Sequence, residues 1–306
     1  MKTAEMFAKG TVFSLEIFPP KPDADESVIY RTLEQLTDIS PDFISVTYGA
    51  GGGKNGCKTI QIASDIKSKY GVESVAHLPC ISLTKELAVE ILDSMRRNGI
   101  ENVLALRGDR PEGEVPPGDF LHASDLVSFI RERYDCNVIA ACYPEVHPES
   151  RNAIDDLKWL KHKVDCGVNH LISQLSLDNR FFFDFMEKAR IAGIDIPIEA
   201  GIMPVTNKRQ IERMVKLCGI ELPRKFMRVL EKYGDNPTAL RDAGIAYAVD
   251  QVADLVAGGV DGIHLYTMNN SYIAHRIYDA VQTLIQGGGS SQYGVKRENA
   301  EISDAG

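Results

Sequence analysis

Apolar, β-prone runs recur along the chain and alternate with segments of helical character. The runs predict strands at residues 11–18, 43–48, 74–80, 102–107, 137–143, 170–176, 196–203 and 260–267. Helix-like segments lie between them, at residues 25–38, 59–70, 84–98, 123–134, 154–166, 181–192 and 240–257. Strict alternation of strand and helix indicates βα units around a parallel sheet.

Eight such units without an obvious break favour the α/β class and, within it, a (β/α)8 TIM barrel over an open doubly wound sheet. No G-x-G-x-x-G follows the first run, so a Rossmann domain has no support. The long connection at residues 205–244 contains two further helical segments, which we predict as extra helices between strands 7 and 8. We expect a single domain at residues 1–286 and a disordered tail at residues 287–306.

Most of the runs end on or near a residue that is able to do chemistry. These residues are Glu16, Thr47, His77, Arg107 with Asp109, Tyr143, Gln174 and Tyr266. In a closed parallel barrel the carboxyl ends of all strands converge on one face, where active sites are built. The pattern therefore predicts one site to which several strands contribute.

Composition narrows the classes of function. The chain has 306 residues, a net charge of −9 and a pI near 5.3, so it lacks the basic footprint that nucleic acids require. We see no stretch long and apolar enough to span a bilayer and no signal-peptide core at the N-terminus. Six cysteines without a C-x-x-C pair predict no metal or iron–sulfur site within the chain and suit a reducing cytoplasm.

Two strand-end residues are candidates for substrate chemistry. Glu16 is a carboxylate inside an apolar strand, which is costly to bury unless it is paired, and which suits a general acid. A structural ion pair is the alternative, but Pro19 and Pro20 turn the chain away from the barrel mouth, so we favour the acid. Gln174 could form paired hydrogen bonds with a flat heterocycle, or it could be a polar cap on its strand.

Three loops are candidates for ligand binding. The glycine-rich stretch at residues 48–53 lets backbone approach a ligand closely, although a flexible loop explains it as well. Arg107 and Asp109 suit a phosphate and a ring N–H, with a salt bridge as the alternative reading. Prolines in the loop at residues 143–148 hold its tyrosine and histidine in place, which favours a ligand contact for His147, with a structural histidine as the alternative. On the helix that follows, Asp156 and Lys163 share one face, where a solvated surface pair is the alternative.

Six motifs, in order, resemble the methylenetetrahydrofolate reductase family in its bacterial form with a single catalytic domain. They are SLEIFPP at 14–20, VTYGA at 46–50, HLPC at 77–80, ALRGD at 105–109, YPEVHP at 143–148 and LYTMN at 265–269. The resemblance runs from about residue 11 to residue 280, which is nearly the whole folded part.

The resemblance implies a (β/α)8 barrel that carries non-covalent FAD at its C-terminal face. It implies that NADH or NADPH gives hydride to the flavin and leaves. The folate then enters the same face and receives the hydride, so that 5,10-methylenetetrahydrofolate becomes 5-methyltetrahydrofolate. We also expect a homo-oligomer.

The same resemblance assigns roles to individual residues. Glu16 matches the acid that protonates the departing nitrogen of the folate, and Asp109 matches a carboxylate near flavin and pterin. The implied FAD contacts are Thr47, Tyr48, Ala50, His77, Arg107, Gly108, Asp109, Ala123, Tyr143, His147, Asp156 and Lys163. The implied substrate contacts are Glu16, Thr47, Gln174, Gln210 and Tyr266.

Departures from the family pattern lie on the substrate and donor side. Leu175 begins a stretch that is often aromatic, Met214 stands where a phenylalanine can cover the nicotinamide nucleotide, and Asn270 stands where an arginine is common. These changes leave NADH, NADPH and an iron–sulfur partner protein open as electron donors. A non-catalytic folate- or flavin-binding protein is the remaining alternative, and the retained Glu16, Asp109 and Gln174 speak against it.

Overall fold

The computed structural model of the protein is a closed barrel of parallel strands, in which β8 pairs with β1. It describes residues 1–21, 24–48, 53–108 and 118–287, without the side chains of residues 53–56. The strands are β1 (Val12–Ile17), β2 (Phe43–Val46), β3 (Glu73–Pro79), β4 (Asn102–Leu106), β5 (Asn137–Cys142), β6 (His170–Ser173), β7 (Ile198–Ile202) and β8 (Gly262–Tyr266). Each predicted run contains one of them or overlaps it, and the predicted TIM barrel is confirmed.

Helices cover the outside of the barrel. They are α1 (Ser27–Thr37), α2 (Gly53–Tyr70), α3 (Lys85–Arg97), α4 (Ala123–Arg133), α5 (Ala153–Asp165), α6 (Asn179–Ile191), α7 (Lys208–Cys218), α8 (Arg224–Tyr233), α9 (Pro237–Ala257) and α10 (Ser271–Gly287). The pair α7 and α8 confirms the extra helices predicted between strands 7 and 8. Within the described ranges, no helix combines the length and the apolar character needed to cross a membrane.

Local sequence sets where several helices begin and end. The side chains of Thr84, Asn152 and Asn236 cap α3, α5 and α9 by accepting a hydrogen bond from a backbone N–H in the first turn. Gly99 and Gly193 follow α3 and α6 with φ of +74° and +76°, a conformation that costs glycine little. The predicted tail lies, from residue 288 onward, outside the described residues.

Side chains along each strand point alternately into the barrel and toward the helices. In β1, Leu15 and Ile17 pack in the large core beneath the helices, whereas Val12 belongs to a smaller apolar cluster. Ser14 and Glu16 lie on the same side of the strand as Val12. Glu16 is the last of these three and therefore lies at the carboxyl end of the barrel interior.

The amino end of the interior is filled by apolar side chains, one from each of six strands. They are Val12, Phe43, Val75, Leu104, Ile139 and Ile172. A 3-10 helix at Thr3–Ala8, which was not predicted, lies against this end. Its Thr3 N–H donates to Asn102 Oδ1 at 2.9 Å, and its hydroxyl accepts from Asn137 Nδ2 at 2.8 Å. The structure thus has a closed amino end and leaves the polar residues at the other end.

Candidate functional site

Glu16 lies at the centre of the carboxyl end, and only 8% of its surface is exposed. Its Oε2 is 3.5 Å from His77 Nε2 on β3 and 3.6 Å from His264 Nε2 on β8. Both distances exceed a normal hydrogen bond, and neither Nε2 has a hydrogen-bond partner among the described residues. Burial lowers the pKa of His77 to about 4, so this imidazole is neutral at pH 7. The carboxyl group therefore faces two buried nitrogen atoms that are available to it.

Tyr266 lies beside Glu16, because the two residues are partners in the register of β1 and β8. Its hydroxyl donates a hydrogen bond to Ser173 O at 2.8 Å. Gly201 makes room for this arrangement: a Cβ there would lie 2.2 Å from Ser173 O and 2.9 Å from the Tyr266 hydroxyl. Burial raises the pKa of Tyr266 well above its usual range, so the hydroxyl keeps its proton.

Two of the family-like motifs are joined by hydrogen bonds behind Glu16. Thr267 Oγ1 donates to Glu16 O at 2.6 Å, and its backbone N–H donates to the same oxygen at 3.3 Å. The Asn269 side chain accepts from Phe18 N at 2.8 Å and donates to Phe18 O at 2.9 Å. Asn269 has φ of +56°, a strained value that these bonds hold in place. The motifs at 14–20 and 265–269 thus fix the backbone that carries the candidate acid.

The side of the rim formed after β2 and β4 carries part of the predicted flavin set. Thr47 and Tyr48 follow β2 and are partly exposed, and burial raises the pKa of Tyr48. Arg107 follows β4 and donates two hydrogen bonds to the Glu149 carboxylate, at 2.6 and 2.7 Å. Gly108 has φ of +87°, and a Cβ there would lie 3.1 Å from a Pro79 side-chain atom. Ala50 and Asp109, also predicted here, lie outside the described residues.

The loop after β5 brings two predicted residues together. The rings of Tyr143 and His147 meet edge to face, with centroids 4.5 Å apart. His147 Nδ1 accepts a hydrogen bond from Glu149 N at 3.1 Å, which puts the proton of the neutral ring on Nε2. Burial and the nearby Arg107 guanidinium lower the pKa of His147. The loop therefore presents a neutral imidazole next to a phenol ring.

Lys163 and Asp156, on α5, are not the solvated surface pair that was the alternative reading. Lys163 Nζ donates to the backbone oxygen of Ala141 on β5 at 2.6 Å, and burial lowers the pKa of its ammonium group. Asp156 Oδ1 accepts from Ser150 Oγ at 2.7 Å. No carboxylate of the described chain lies within ion-pair distance of Lys163. Ala123, a further predicted contact, is the first residue of α4 and is partly exposed.

The two predicted glutamines lie on different elements. Gln174 follows β6, is partly buried, and accepts a hydrogen bond from Leu175 N through Oε1 at 2.9 Å. Gln210 is in the first turn of α7, partly exposed, in the extra segment between β7 and β8. The structure brings Gln174 to the same end of the barrel as Glu16. It shows no contact that joins Gln210 to the strand-end residues described.

Three buried polar residues next to the site were not predicted. His264 Nδ1 lies 2.7 Å from Ser14 Oγ, and the same Oγ lies 2.7 Å from Glu199 Oε1 on β7. Glu199 is fully buried. Glu199, like Glu16, is a carboxylate within an apolar strand, and this was the signal in the sequence that pointed to it. His264 stands two residues before Tyr266 and so shares its inward face.

Comparison with known proteins identifies the family. Residues 2–282 match the family model for methylenetetrahydrofolate reductase. The 5,10-methylenetetrahydrofolate reductase of Escherichia coli (strain K12) is 35% identical over 264 residues, which cover 86% of this chain and 88% of that protein. That of Pectobacterium carotovorum subsp. carotovorum is 34% identical with the same coverage. Methylenetetrahydrofolate reductase (NADH) 1 of Arabidopsis thaliana is 36% identical, over 85% of this chain and 46% of that protein.

A solved structure with the same fold supports the architecture independently. A Clostridium thermocellum protein, described as binding two copies of 5-methyl-5,6,7,8-tetrahydrofolic acid, aligns with a TM-score of 0.64 over 92% of this chain and 98% of that one. Its sequence identity is 14%, so it bears on the fold alone. Taken with the family match over nearly the whole length, the relatives at 34–36% identity show that this chain belongs to the methylenetetrahydrofolate reductase family.

Proposed function

We propose that this protein reduces 5,10-methylenetetrahydrofolate to 5-methyltetrahydrofolate in a ping-pong reaction with FAD and NAD(P)H. The observation that carries the proposal is the position of Glu16, a buried carboxyl at the carboxyl end of β1 that faces His77 and His264. The folate must open its methylene bridge before it can accept hydride, and opening needs a proton on the departing nitrogen. Glu16 is the group that we propose to give this proton.

The described residues fit a flavin dinucleotide. Lys163 is a partly buried cation whose hydrogen bond goes to a backbone carbonyl, so its charge is available to a diphosphate. Arg107 adds a second cation near the same end, and Gly108 lets backbone approach closely. Tyr143 and His147 add two aromatic rings that meet edge to face. We propose that these residues hold the FAD, together with the other contacts that the family resemblance implies.

The chemistry that FAD supplies when bound is hydride transfer in two separate steps, out of the nicotinamide and into the folate. The protein's own residues then orient the pterin and control the proton. Leu175 N donates a hydrogen bond to the amide oxygen of Gln174, and this bond fixes the orientation of the NH2 group. Tyr266 stays protonated beside Glu16 and closes that side of the pocket. We propose Thr47 and Gln210 as further substrate contacts.

For the electron donor we favour NADH. The Arabidopsis relative carries NADH in its name, and it is 36% identical over most of this chain. Met214 lies on α7 and packs with a second apolar cluster between α7, α8 and the barrel, so a flexible apolar side chain faces that region. We propose that this side chain takes the covering role that phenylalanine has in other members of the family.

Anaerobic rapid mixing of the Glu16→Gln holoenzyme tests the proposal, because it separates the two half-reactions. We expect NADH to bleach the flavin at the wild-type rate, whereas reoxidation by the folate slows by about 10²- to 10⁴-fold, the usual contribution of a general acid. Glu132→Gln, an exposed glutamate on α4, is the matched control and should leave both steps unchanged. Unchanged folate reduction in Glu16→Gln would refute the acid role. If a reduced iron–sulfur protein bleaches the flavin and neither NADH nor NADPH does, the proposal of NADH as electron donor is refuted.

A further inference from the structure

A row of polar side chains runs through the barrel interior from Glu16 toward its amino end. Ser14 and His264, which we call the polar link, lie between Glu16 and Glu199. Ser14 Oγ is 2.7 Å from Glu199 Oε1 and 2.7 Å from His264 Nδ1, both within hydrogen-bond distance. His264 Nε2, at the far side of the ring, is 3.6 Å from Glu16 Oε2. All four residues are buried.

The fold makes room for Glu199 at one specific place. Gly262 is its register partner on β8, and a Cβ on Gly262 would lie 2.8 Å from Glu199 Cγ and 3.2 Å from Oε1. A larger residue at that position would therefore push the carboxyl off Ser14. Burying a carboxyl group in such a gap costs free energy, and a function for its proton or its charge would explain why it is there.

Burial and two nearby carboxylates favour the neutral form of Glu199, against the hydrogen bond from Ser14, which favours the ionised form. His170 on β6 is 3.8 Å away through Nε2, too far for a hydrogen bond, and burial lowers the pKa of His170 to about 3. Asp42 before β2 and Asp261 before β8 add negative charge nearby. Burial, reinforced by these two carboxylates, raises the pKa of Glu199 to about 8. Glu199 and His170 are thus a neutral pair at pH 7, not an ion pair.

The hydrogen bonds of the polar link allow two arrangements. In one, protonated Glu199 donates to Ser14, whose hydroxyl donates to His264 Nδ1, so the ring carries its proton on Nε2 and points it at an ionised carboxylate. In the other, ionised Glu199 accepts from Ser14, and His264 carries its proton on Nδ1. Its bare Nε2 then accepts from a protonated Glu16. The two arrangements hold the same number of protons.

We propose that the polar link lets Glu16 and Glu199 share one transferable proton. This rests on the proposed function of Glu16 as the acid, and Glu199 is a positioning residue because it acts through others. Three O–H or N–H bonds break and three form, and no electrons are transferred. The negative charge moves from Glu16 to Glu199 as the proton moves the opposite way.

One short movement completes the path. The gap between His264 Nε2 and Glu16 Oε2 must close from 3.6 Å to about 3 Å, which a small rotation of the carboxyl group achieves. His77, 3.5 Å from the same oxygen, is a further polar side chain that faces this carboxyl. Among the described residues, Tyr266 on β8 and Ser45 on β2 are its register partners. Between turnovers, protons from solvent refill Glu199 by the reverse path through Glu16.

The pH dependence of the folate half-reaction tests the proposal in the holoenzyme. We expect the wild-type rate to fall with a midpoint near pH 8, because the pKa of Glu199 is raised to about 8. Glu199→Gln keeps the shape of the side chain but has no carboxyl proton to release. In this variant the rate should begin to fall at a lower pH than in the wild type. It should be about tenfold below wild type at pH 8 and within about twofold at pH 6. The nicotinamide half-reaction should not change.

Two serine variants distinguish loss of the proton path from a general effect of removing a buried hydroxyl. Ser14→Ala breaks the polar link and should shift the pH profile as Glu199→Gln does. Ser74→Ala removes a buried hydroxyl in β3 that has no hydrogen-bond partner among the described residues and is not a register partner of Glu16, and it should leave the profile unchanged. Profiles of Glu199→Gln and Ser14→Ala that superimpose on the wild type would overturn the proposal.

Infrared spectroscopy provides a readout that does not depend on turnover. At pH 7 the wild type should show the C=O band of a buried protonated carboxyl, which is absent in Glu199→Gln and present in Ser14→Ala. Replacing Glu16 with Gln should change the pH at which this band disappears, because the two groups share a proton. Absence of the band, or no change in its titration, would overturn the proposal. If only the acid role fails, the Glu199 band and its coupling to Glu16 would remain.

Discussion

The two ends of the barrel interior differ in their balance of apolar and polar residues. The amino end holds the apolar cluster that includes Phe43, Leu104 and Ile139, and the 3-10 helix at Thr3–Ala8 lies against it. The carboxyl end holds Glu16 with polar groups around it. Apolar packing at the amino end fixes the strands, and the strands in turn hold the polar groups at the carboxyl end in place.

Hydrogen bonding is only partly complete at the amino end, where Asn137 Oδ1 and both ring nitrogens of His170 have no partner among the described residues. At the amino end, the hydroxyl of Thr3 and the amide nitrogens of Asn102 and Asn137 all have partners. At the carboxyl end, the Nε2 atoms of His77 and His264 have none among the described residues. Buried polar atoms without partners are uncommon and call for an explanation. For the two Nε2 atoms that face Glu16, we propose that the explanation is a site that receives the substrate.

Equal changes in volume should cost different amounts of stability at the two ends. Ile139→Ala, in the fully buried amino-end cluster, should lower the free energy of unfolding by about 3 kcal/mol. Leu106 packs against the same cluster from the partly exposed carboxyl end of β4. Leu106→Ala should cost about 1 kcal/mol, because less apolar surface returns to water. Urea denaturation of both variants measures the difference, and Ile139→Val is the graded control at about 1 kcal/mol. Equal losses would contradict the division of the interior.

Much of this division was predictable from the sequence. Each strand is a run of apolar residues, and the residues at or just after its carboxyl end were correctly expected at one face, as Glu16, His77 and Tyr266 show. The pattern works because the barrel obeys the two-residue period of strands and a fixed direction of winding. The 3-10 helix at Thr3–Ala8 was not predicted, because so short a segment shows no helical period.

The partners of each residue were not predictable in the same way. Ser14 and His264 are 250 positions apart and meet only because β8 closes on β1. Glu199 reaches Ser14 because Gly262 leaves space on the neighbouring strand. Such contacts depend on the register of strand pairing, which hydrophobic patterning along one strand does not contain.

The buried titratable groups predict a maximum of stability near pH 6.5. Burial holds the pKa of His77 at about 4 and of His170 at about 3, so the unfolded chain binds more protons below pH 6.5 and stability rises with pH there. Burial raises the pKa of Glu199 from 4.5 to about 8, so the native protein binds more protons in that range. Between about pH 6.5 and pH 8 the free energy of unfolding should therefore fall by on the order of 2 kcal/mol.

Urea denaturation across this pH range measures the effect, and Glu199→Gln is the matched variant. The variant should lose the fall above pH 6.5 and keep the rise below it, which comes from the histidines. A wild-type curve that stays flat between pH 6.5 and pH 8 would mean that Glu199 is already ionised in the native protein. A negative charge would then lie inside the barrel, on the amino-end side of Glu16.

The smallest predicted effect tests whether the amino end serves stability alone. Thr3→Val keeps the shape of the side chain but leaves the Asn137 amide without its hydroxyl acceptor, so it should cost about 1–2 kcal/mol of stability. Thr3→Ser keeps the hydroxyl and should cost less. Neither change should alter the pH profile of the folate half-reaction in folded enzyme, because Thr3 makes no hydrogen bond to Ser14, His264 or Glu199. A shifted profile in Thr3→Val would show that the two ends are coupled by a route other than the polar link.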